Sequence, residues 1–320
     1  MQTSGSTGEP REVLLSGSAL LASVNATHEA LGGAGQWILC VPETRVAGAM
    51  VIARSEIAAT LPVRTAPGPF TADSFADAVA SLEPGARHYA SLVPTQLMRI
   101  MDSARGVEAL AQLDAVLVGG AALPLENPPE NVVATYGSSE TCGGCVYNGK
   151  PLDGVEVRVV GGVIRIAGAM LADGYADGDD SRFVQESGTR WFVTSDAGDF
   201  DAQGRLRVLG RLDDVINSGG VKFHPGPIEA AVRALPWVSD AAVVGVPDAQ
   251  WGERIVVVAE TRPGVGVPPW DQARKLLAVG LESAAIPKNC VLVDALPRLA
   301  SGKMDRARVR HLAKESHVER

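Results

Sequence analysis

A chain of 320 residues, 46% hydrophobic and 21% charged, has room for a sizeable core and for two domains. Its net charge of -8 speaks against a nucleic-acid surface, although a local basic patch can still serve a small anion. No apolar run approaches the roughly 20 residues of a membrane span, and no secretory signal is legible, so the expected compartment is the cytoplasm. Cys40, Cys142, Cys145 and Cys290 are too scattered for a disulfide framework. The lone C-x-x-C of Cys142 and Cys145 lacks the second pair or nearby histidines a zinc site wants, and reads as small loop residues.

In chain order, the first stretch of interest is "TSGSTGEPREV". Its Thr3, Ser4, Gly5, Ser6, Thr7 and Gly8 combine hydroxyl donors with glycines that permit tight turns of inward-facing N–H groups, a composition able to wrap polyphosphate. It lacks Walker spacing, and a flexible Ser/Gly tail is the other reading. From residue 13 to 125, strand-like and helix-like runs alternate. "GQWILCVP" suits a buried strand and "VAGAMVIARSEIAATL" a helix; "DSFADAVASL" suits a helix capped by Asp73. "HYASLVP" is strand-like, "TQLMRIMDS" helical, and "LDAVLVGGAAL" a strand running into glycines. The alternation predicts an α/β sheet whose ligand sits at the C-terminal strand edges.

The stretch "NVVATYGSSETCGG" ends a strand at Tyr136 and Gly137, and puts Glu140 at the sheet edge, where it could hold Mg²⁺ beside phosphates. A turn followed by a capped helix is the alternative. From about 151, "GVEVRVVGGVIRIAG" and "GRLRVLGR" read as short antiparallel strands with glycine turns. Asp196, Arg211, Asp213 and Asp214 lie among them, suited to sugar hydroxyls or to surface ion pairs. A further pattern follows: helix "PGPIEAAVRAL", strands "DAAVVGVPD" and "RIVVVAET", helix "WDQARKLLAVGLES" and strand "NCVLVDALP". That block is long enough to fold alone as a small α+β domain. The expected architecture is an α/β large domain with a mostly parallel sheet plus a small β-rich subdomain, residues 1–210. A small, mobile α+β C-terminal lid domain, 211–320, follows it. Lys303, in "PRLASGKMDR", reads on its own as a solvated lysine or a catalytic one.

Taken together these stretches resemble the adenylate-forming superfamily of acyl- and aryl-CoA ligases, luciferases and adenylation domains. Its S/T-S-G-S/T-T-G-x-P-K loop stands here as "TSGSTGEPREV", its YGxTE as "YGSSE" and its TGD as "TSD". Its GRxDDxIxxGG is "GRLDDVINSGG" and its PxxxSGKxDR is "PRLASGKMDR". Within that superfamily, "YASLVPTQL", "LVGGAAL" and "YGSSETCGGCVYNGKPLDGVEVRV" resemble the o-succinylbenzoate–CoA ligases of the menaquinone pathway, of the compact actinobacterial type.

The resemblance implies ATP, Mg²⁺ and CoA as cofactors, and a small carboxylic acid as substrate. It implies the β/γ-phosphates on residues 3–8 with Arg11, the α-phosphate at Ser139, Mg²⁺ on Glu140, and adenine between Tyr136, Gly137, Gly120 and Ala121. Asp196 and Arg211 would hold the ribose. Lys303 would bridge carboxylate and phosphate, Asp213 would be a hinge, and Ser218, Gly219 and Gly220 would line a CoA channel. Gly143 and Gly144 would border the acid pocket. A homodimer is left open.

Four departures stand out. The sequence starts at the phosphate loop, without the strand that normally feeds it, which suggests an N-terminally truncated member. Arg11 replaces the loop lysine. Ser139 and Ser195 replace a threonine and a glycine. Arg45, in "VPETRVAG", stands where related ligases have an aromatic-His pair; it pairs with a second substrate carboxylate or faces solvent. A ligase for another acid, or a nucleotide-binding chain without catalysis, are the competing readings.

Overall fold

The computed structural model describes residues 1, 11–123, 125, 127–299 and 304–315. The chain divides into two compact units. Unit 1 comprises Met1–Val160, Ile164–Thr194 and Phe200–Leu206; unit 2 comprises Gly161–Val163, Ser195–Asp199 and Arg207–Arg320.

Unit 1 opens with β1 (Val13–Leu14), α1 (Gly17–Ala30), β2 (Gln36–Leu39), α2 (Val46–Ile57) and β3 (Val63–Arg64). Next come α3 (Ala72–Ala80), β4 (His88–Leu92), α4 (Pro94–Met101), α5 (Ala104–Leu110) and β5 (Ala115–Val118). Hydroxyls set most helix starts: Ser16 Oγ accepts from Ala19 N, and Ser103 Oγ from Gly106 N. The cap of α3 is Thr71 and not Asp73. Thr71 and Ser74 satisfy each other's backbone N–H groups, so the helix starts at Ala72, two residues before the start a cap at Asp73 would give, and Asp73 falls in its first turn. Helices α1 and α5, which apolar spacing did not mark out, are built on small residues and short turns.

The chain continues through β6 (Val132–Ser138), β7 (Gly143–Tyr147), β8 (Lys150–Pro151), β9 (Val155–Val160), β10 (Val163–Gly168) and β11 (Gly174–Tyr175). Then follow β12 (Phe183–Glu186), β13 (Thr189–Phe200) and β14 (Leu206–Arg211). The main sheet is ordered β3-β2-β4-β5-β6-β7-β8. Its first five strands are parallel and β7 and β8 antiparallel, which is the mostly parallel sheet the sequence predicts. Residues alternate across it. Ala90, Val116 and Val118 join Phe75, Leu97 and Ile100 under α3, α4 and α5. Tyr89, Ala115 and Leu117 face the other way, with Trp37 and Val51. The β-rich part packs Cys145, Val146, Ile164, Ile166, Phe192 and Leu206 into a separate cluster.

Unit 2 adds β15 (Ile216–Ser218), β16 (Val221–Phe223), α6 (Pro225–Arg233), β17 (Val238–Asp248), β18 (Gly252–Thr261), α7 (Trp270–Leu277), β19 (Asn289–Val293) and α8 (Arg306–Glu315). Strands β17 and β18 form a long antiparallel pair, and β19 runs parallel beside β18. Ala241 and Val243 face α6 and α7 through Ile228, Val232, Ala273 and Leu277. Ala242, Val244 and Val246 face α8 through Val309 and Ala313. Helix α7 stops at Leu277, short of the "AVGLES" that the sequence reading gave it; Val279 is 88% exposed and offers no face to bury. Helix α8 was not anticipated. Among the described residues, no helix is long and apolar enough to cross a membrane.

Candidate active site

In unit 1 the C-terminal ends of the parallel strands carry the expected residues in sequence order. After β2 the chain reaches Arg45, just before α2. Arg45 is half-buried, and its side chain makes no ion pair or hydrogen bond among the described residues. Gln96 ties this end to β4, donating to Cys40 O at 2.7 Å and accepting from Val93 N at 3.0 Å. After β5, Gly119 meets Thr135 on β6, and Gly120 and Ala121 are exposed. Gly120 has φ +86°, a conformation that glycine adopts without steric cost.

Strand β6 delivers the densest cluster. Tyr136 is half-buried against the Cys145–Val146–Ile164 cluster. At Gly137 a methyl group would run into the carbonyl oxygen of Gly143, so the close approach of β6 and β7 requires glycine there. A single 3₁₀ turn, Ser139–Thr141, follows, and the capped helix of the alternative reading does not form. Thr141 holds that turn: its hydroxyl accepts from Ser138 N at 2.8 Å and bonds Gly143 O at 2.7 Å. Ser139 and Glu140 are 8% and 9% exposed. Glu140 Oε1 accepts from the Tyr175 hydroxyl at 2.8 Å, and Oε2 has no hydrogen bond among the described residues. Burial, and next the Glu140 charge, push the Tyr175 phenol well above its ordinary range, so it stays a donor.

Gly143 comes close to Met50 of α2, and Gly144 to Thr135 and Tyr147. A small cavity of about 110 Å³ lies beside Gly144, walled by Ala22, Ala26, Cys145, Leu152 and Met170. The thiols of Cys142 and Cys145 are buried, and burial pushes both up to about 12.

Arg11 is the last residue of the expected phosphate segment that the structure describes; residues 3–8 lie outside the described residues. Its guanidinium makes a bidentate pair with Asp177, at 2.8 and 2.7 Å, and lies 3.6 Å over the Tyr175 ring.

In unit 2, Arg211 makes a bidentate pair with Asp213 at 2.9 and 3.0 Å, and Asp196 is near enough to add to the charge that holds its proton. Two residues assigned to different tasks, ribose and hinge, are therefore bonded to one another here. Ser218 is buried in β15, and Gly219 N donates to Trp251 O at 2.8 Å. A cavity of about 410 Å³ in unit 2 is lined by Gly161, Ala197, Leu212, Asn217, Lys222 and His224. Lys303 lies outside the described residues.

The family model described as AMP-binding enzyme matches residues 1–178, a span that includes the Tyr136–Glu140 cluster. The AMP-binding enzyme C-terminal domain matches residues 227–303. This chain is an AMP-binding enzyme. It is 42% identical over 325 aligned positions to a probable 2-succinylbenzoate–CoA ligase of Mycobacterium tuberculosis, covering 98% of this chain and 84% of that protein. To the 2-succinylbenzoate–CoA ligase of Salmonella typhimurium it is 34% identical, over 81% of this chain and 57% of the relative. Among solved structures it is similar to ATP-bound MatB from Rhodopseudomonas palustris, with 25% identity, a TM-score of 0.85, and coverage of 99% of this chain and 68% of that one. It is also similar to the o-succinylbenzoate coenzyme A synthetase of Bacillus subtilis in complex with AMP: 25% identity, TM-score 0.80, 97% of this chain and 68% of that one.

Sequence reasoning missed Tyr175 and Asp177, and also Arg306, which pairs with Asp214 at 2.9 Å. Tyr175 sits 35 positions from Glu140 in "LADGYADGDD", and no local pattern pairs them. The glycine- and aspartate-rich context could at most have flagged a sharp turn.

Proposed function

We propose that this chain joins 2-succinylbenzoate to CoA at the expense of ATP, through an acyl-adenylate. The identity of 42% across nearly the whole chain to the mycobacterial relative carries this reading. A substrate carboxylate oxygen attacks the α-phosphorus of ATP and pyrophosphate leaves. The CoA thiolate then attacks the acyl carbon and AMP leaves. Two anions must meet in the first step, so the site has to supply positive charge and alignment more than proton transfer.

Residues 3–8 would carry the β/γ-phosphates and Ser139 the α-phosphate, with Tyr136, Gly137, Gly120 and Ala121 around adenine. Asp196 and Arg211 would take the ribose hydroxyls, which asks Arg211 to leave or share Asp213. Magnesium favours few protein carboxylates plus phosphate oxygens and water, and a buried Glu140 with one oxygen uncommitted among the described residues fits that donor set. When bound, Mg²⁺ supplies charge neutralisation at the phosphates. Lys303 would act as a point charge on the reacting carboxylate and phosphate. A rotation at Asp213 would then replace it with the Ser218–Gly219–Gly220 loop for thioester formation. Arg45 would pair with the second carboxylate of the substrate. We place the reaction in the cytoplasm.

Pyrophosphate release from ATP, measured over a panel of acids, tests the reading. The expected result is a kcat/KM for 2-succinylbenzoate about 100-fold above monocarboxylic aryl acids; a higher value with another acid reassigns the substrate. Lys303→Ala is expected to slow adenylation about 100-fold while sparing thioester formation from preformed adenylate; equal loss in both halves removes its assigned role. Arg45→Ala is expected to raise the KM for 2-succinylbenzoate, and an unchanged KM removes the pairing.

A further inference from the structure

Tyr175 is held from three sides within unit 1. Its backbone pairs with Val13 in the β1–β11 ribbon, and its N–H donates to Asp180 Oδ1 at 2.9 Å. Its ring lies under the Arg11 guanidinium, which is fixed in turn by Asp177 and by Asp179 O at 2.8 Å. Its hydroxyl reaches Glu140. The backbone repeats the connection: Ala172 N donates to Glu140 O at 2.8 Å, Asp173 N to Leu14 O at 2.9 Å, and Ala176 N to Glu12 O at 2.9 Å. The segment that leaves the phosphate loop and the turn that carries Glu140 are thus fastened to the same short strand.

We propose that Tyr175 is the positioning residue for Glu140, clamped by Arg11, so that Arg11 serves the site by fixing this ring and not by acting as a further phosphate ligand. The proposal rests on the reading of Glu140 as the residue that holds Mg²⁺. Packing alone does not need the hydroxyl, since phenylalanine would fill the same space beside Phe183. What the hydroxyl adds is a charge-assisted hydrogen bond to a buried carboxylate, which removes one oxygen from the choices open to a metal and fixes the rotamer of the other.

The test uses the full chain with Mn²⁺ and α,β-methylene-ATP, reading bound metal from the loss of the free Mn²⁺ paramagnetic signal. Tyr175→Phe is expected to weaken Mn²⁺ retention about tenfold, in line with loss of a hydrogen bond to a charged group, with little change in melting temperature. Glu140→Gln is expected to weaken it at least as much, and adding Tyr175→Phe to Glu140→Gln is expected to cost nothing more, because the hydroxyl acts only through that carboxylate. Unchanged retention in Tyr175→Phe, additive losses in the double variant, or no Mn²⁺–nucleotide binding by the parent chain would each overturn the proposal. Acid-dependent pyrophosphate release by the parent chain separates the two readings. Its absence alongside non-additive Mn²⁺ losses removes the ligase assignment alone, and its presence alongside unchanged retention removes the positioning role alone.

Discussion

Arg306 of α8 lies 2.9 Å from Asp214 and 2.9 Å from Glu229 of α6, bridging two carboxylates that are each less than 10% exposed. Arg310 reaches Asp214 at 3.8 Å, and Arg233 continues the network from Glu229 to Asp240, which Arg298 also contacts. Burial raises the pKa of Asp214, opposed chiefly by Arg306. The final arginine of "SGKMDR" therefore fastens the last helix to the residue beside the proposed hinge.

Arg306→Ala would leave Asp214 and Glu229 buried without their main cation. The expected cost is about 3 kcal/mol of stability, as for breaking other buried pairs, read as a lower denaturant midpoint. A loss below about 0.5 kcal/mol, the level of an exposed pair, would mean that the network is solvent-screened.

Arg54 presents the opposite case. It is 3% exposed, lies 4.9 Å over the Trp37 ring, and has no carboxylate partner among the described residues. Its Nε is buried without a hydrogen bond, and burial lowers its pKa. An apolar chain of similar length avoids that desolvation cost, so Arg54→Met is expected to raise stability by about 1 kcal/mol, within the range seen when buried charges are replaced. Destabilisation by more than about 2 kcal/mol would point to a partner that the charge serves.

Two histidines give the fold a pH dependence. His28, buried and facing Arg54, and His224 both have pKa values lowered by burial, with the Arg54 charge adding to the effect at His28. The unfolded chain takes up protons near pH 6.5 while the folded chain resists, so the unfolded state binds more protons below that point. Stability is then complete above about pH 6.5 and falls as pH drops toward the folded pKa values. Melting curves from pH 7.5 to 5.5 should show this decline, and His28→Gln should flatten it. A parent chain with equal melting temperatures across that window would contradict the assignment.

The alternation of apolar strands with helices made the main sheet legible: strands buried on both faces lose the period-two pattern and read as short continuous apolar runs, as at Ala115–Val118, set between stretches of near-3.6 spacing. The antiparallel β-rich part was legible from paired glycines such as Gly161 and Gly162. Helix α1 was not, since its Ala/Ser-rich face buries little beyond Ala19, Ser23, Val24 and Thr27. Single motifs put Glu140 and Tyr136 at a strand end, yet the partner of Glu140 was invisible. Tyr175 reaches it through a two-strand ribbon whose pairing depends on tertiary contact. The same holds for Arg306 and Asp214, separated in sequence by the whole of the C-terminal sheet.

Gly137 offers a local check on the site. Gly137→Ala would force β6 from the Gly143 carbonyl and shift the turn carrying Ser139 and Glu140. A 1 Å misplacement can cost about 100-fold in rate. The expected result is an adenylation kcat reduced by about that factor, in a chain that still melts cooperatively. Full activity would mean that the approach of the two strands does not position the turn.

Transfer of ¹⁸O from carboxylate-labelled 2-succinylbenzoate tests the central claim most directly. If an acyl-adenylate forms and CoA then cleaves its acyl carbon–oxygen bond, the AMP released carries one ¹⁸O and the pyrophosphate none. Label in inorganic phosphate, or product formed with unlabelled AMP, would contradict adenylation as the activating step.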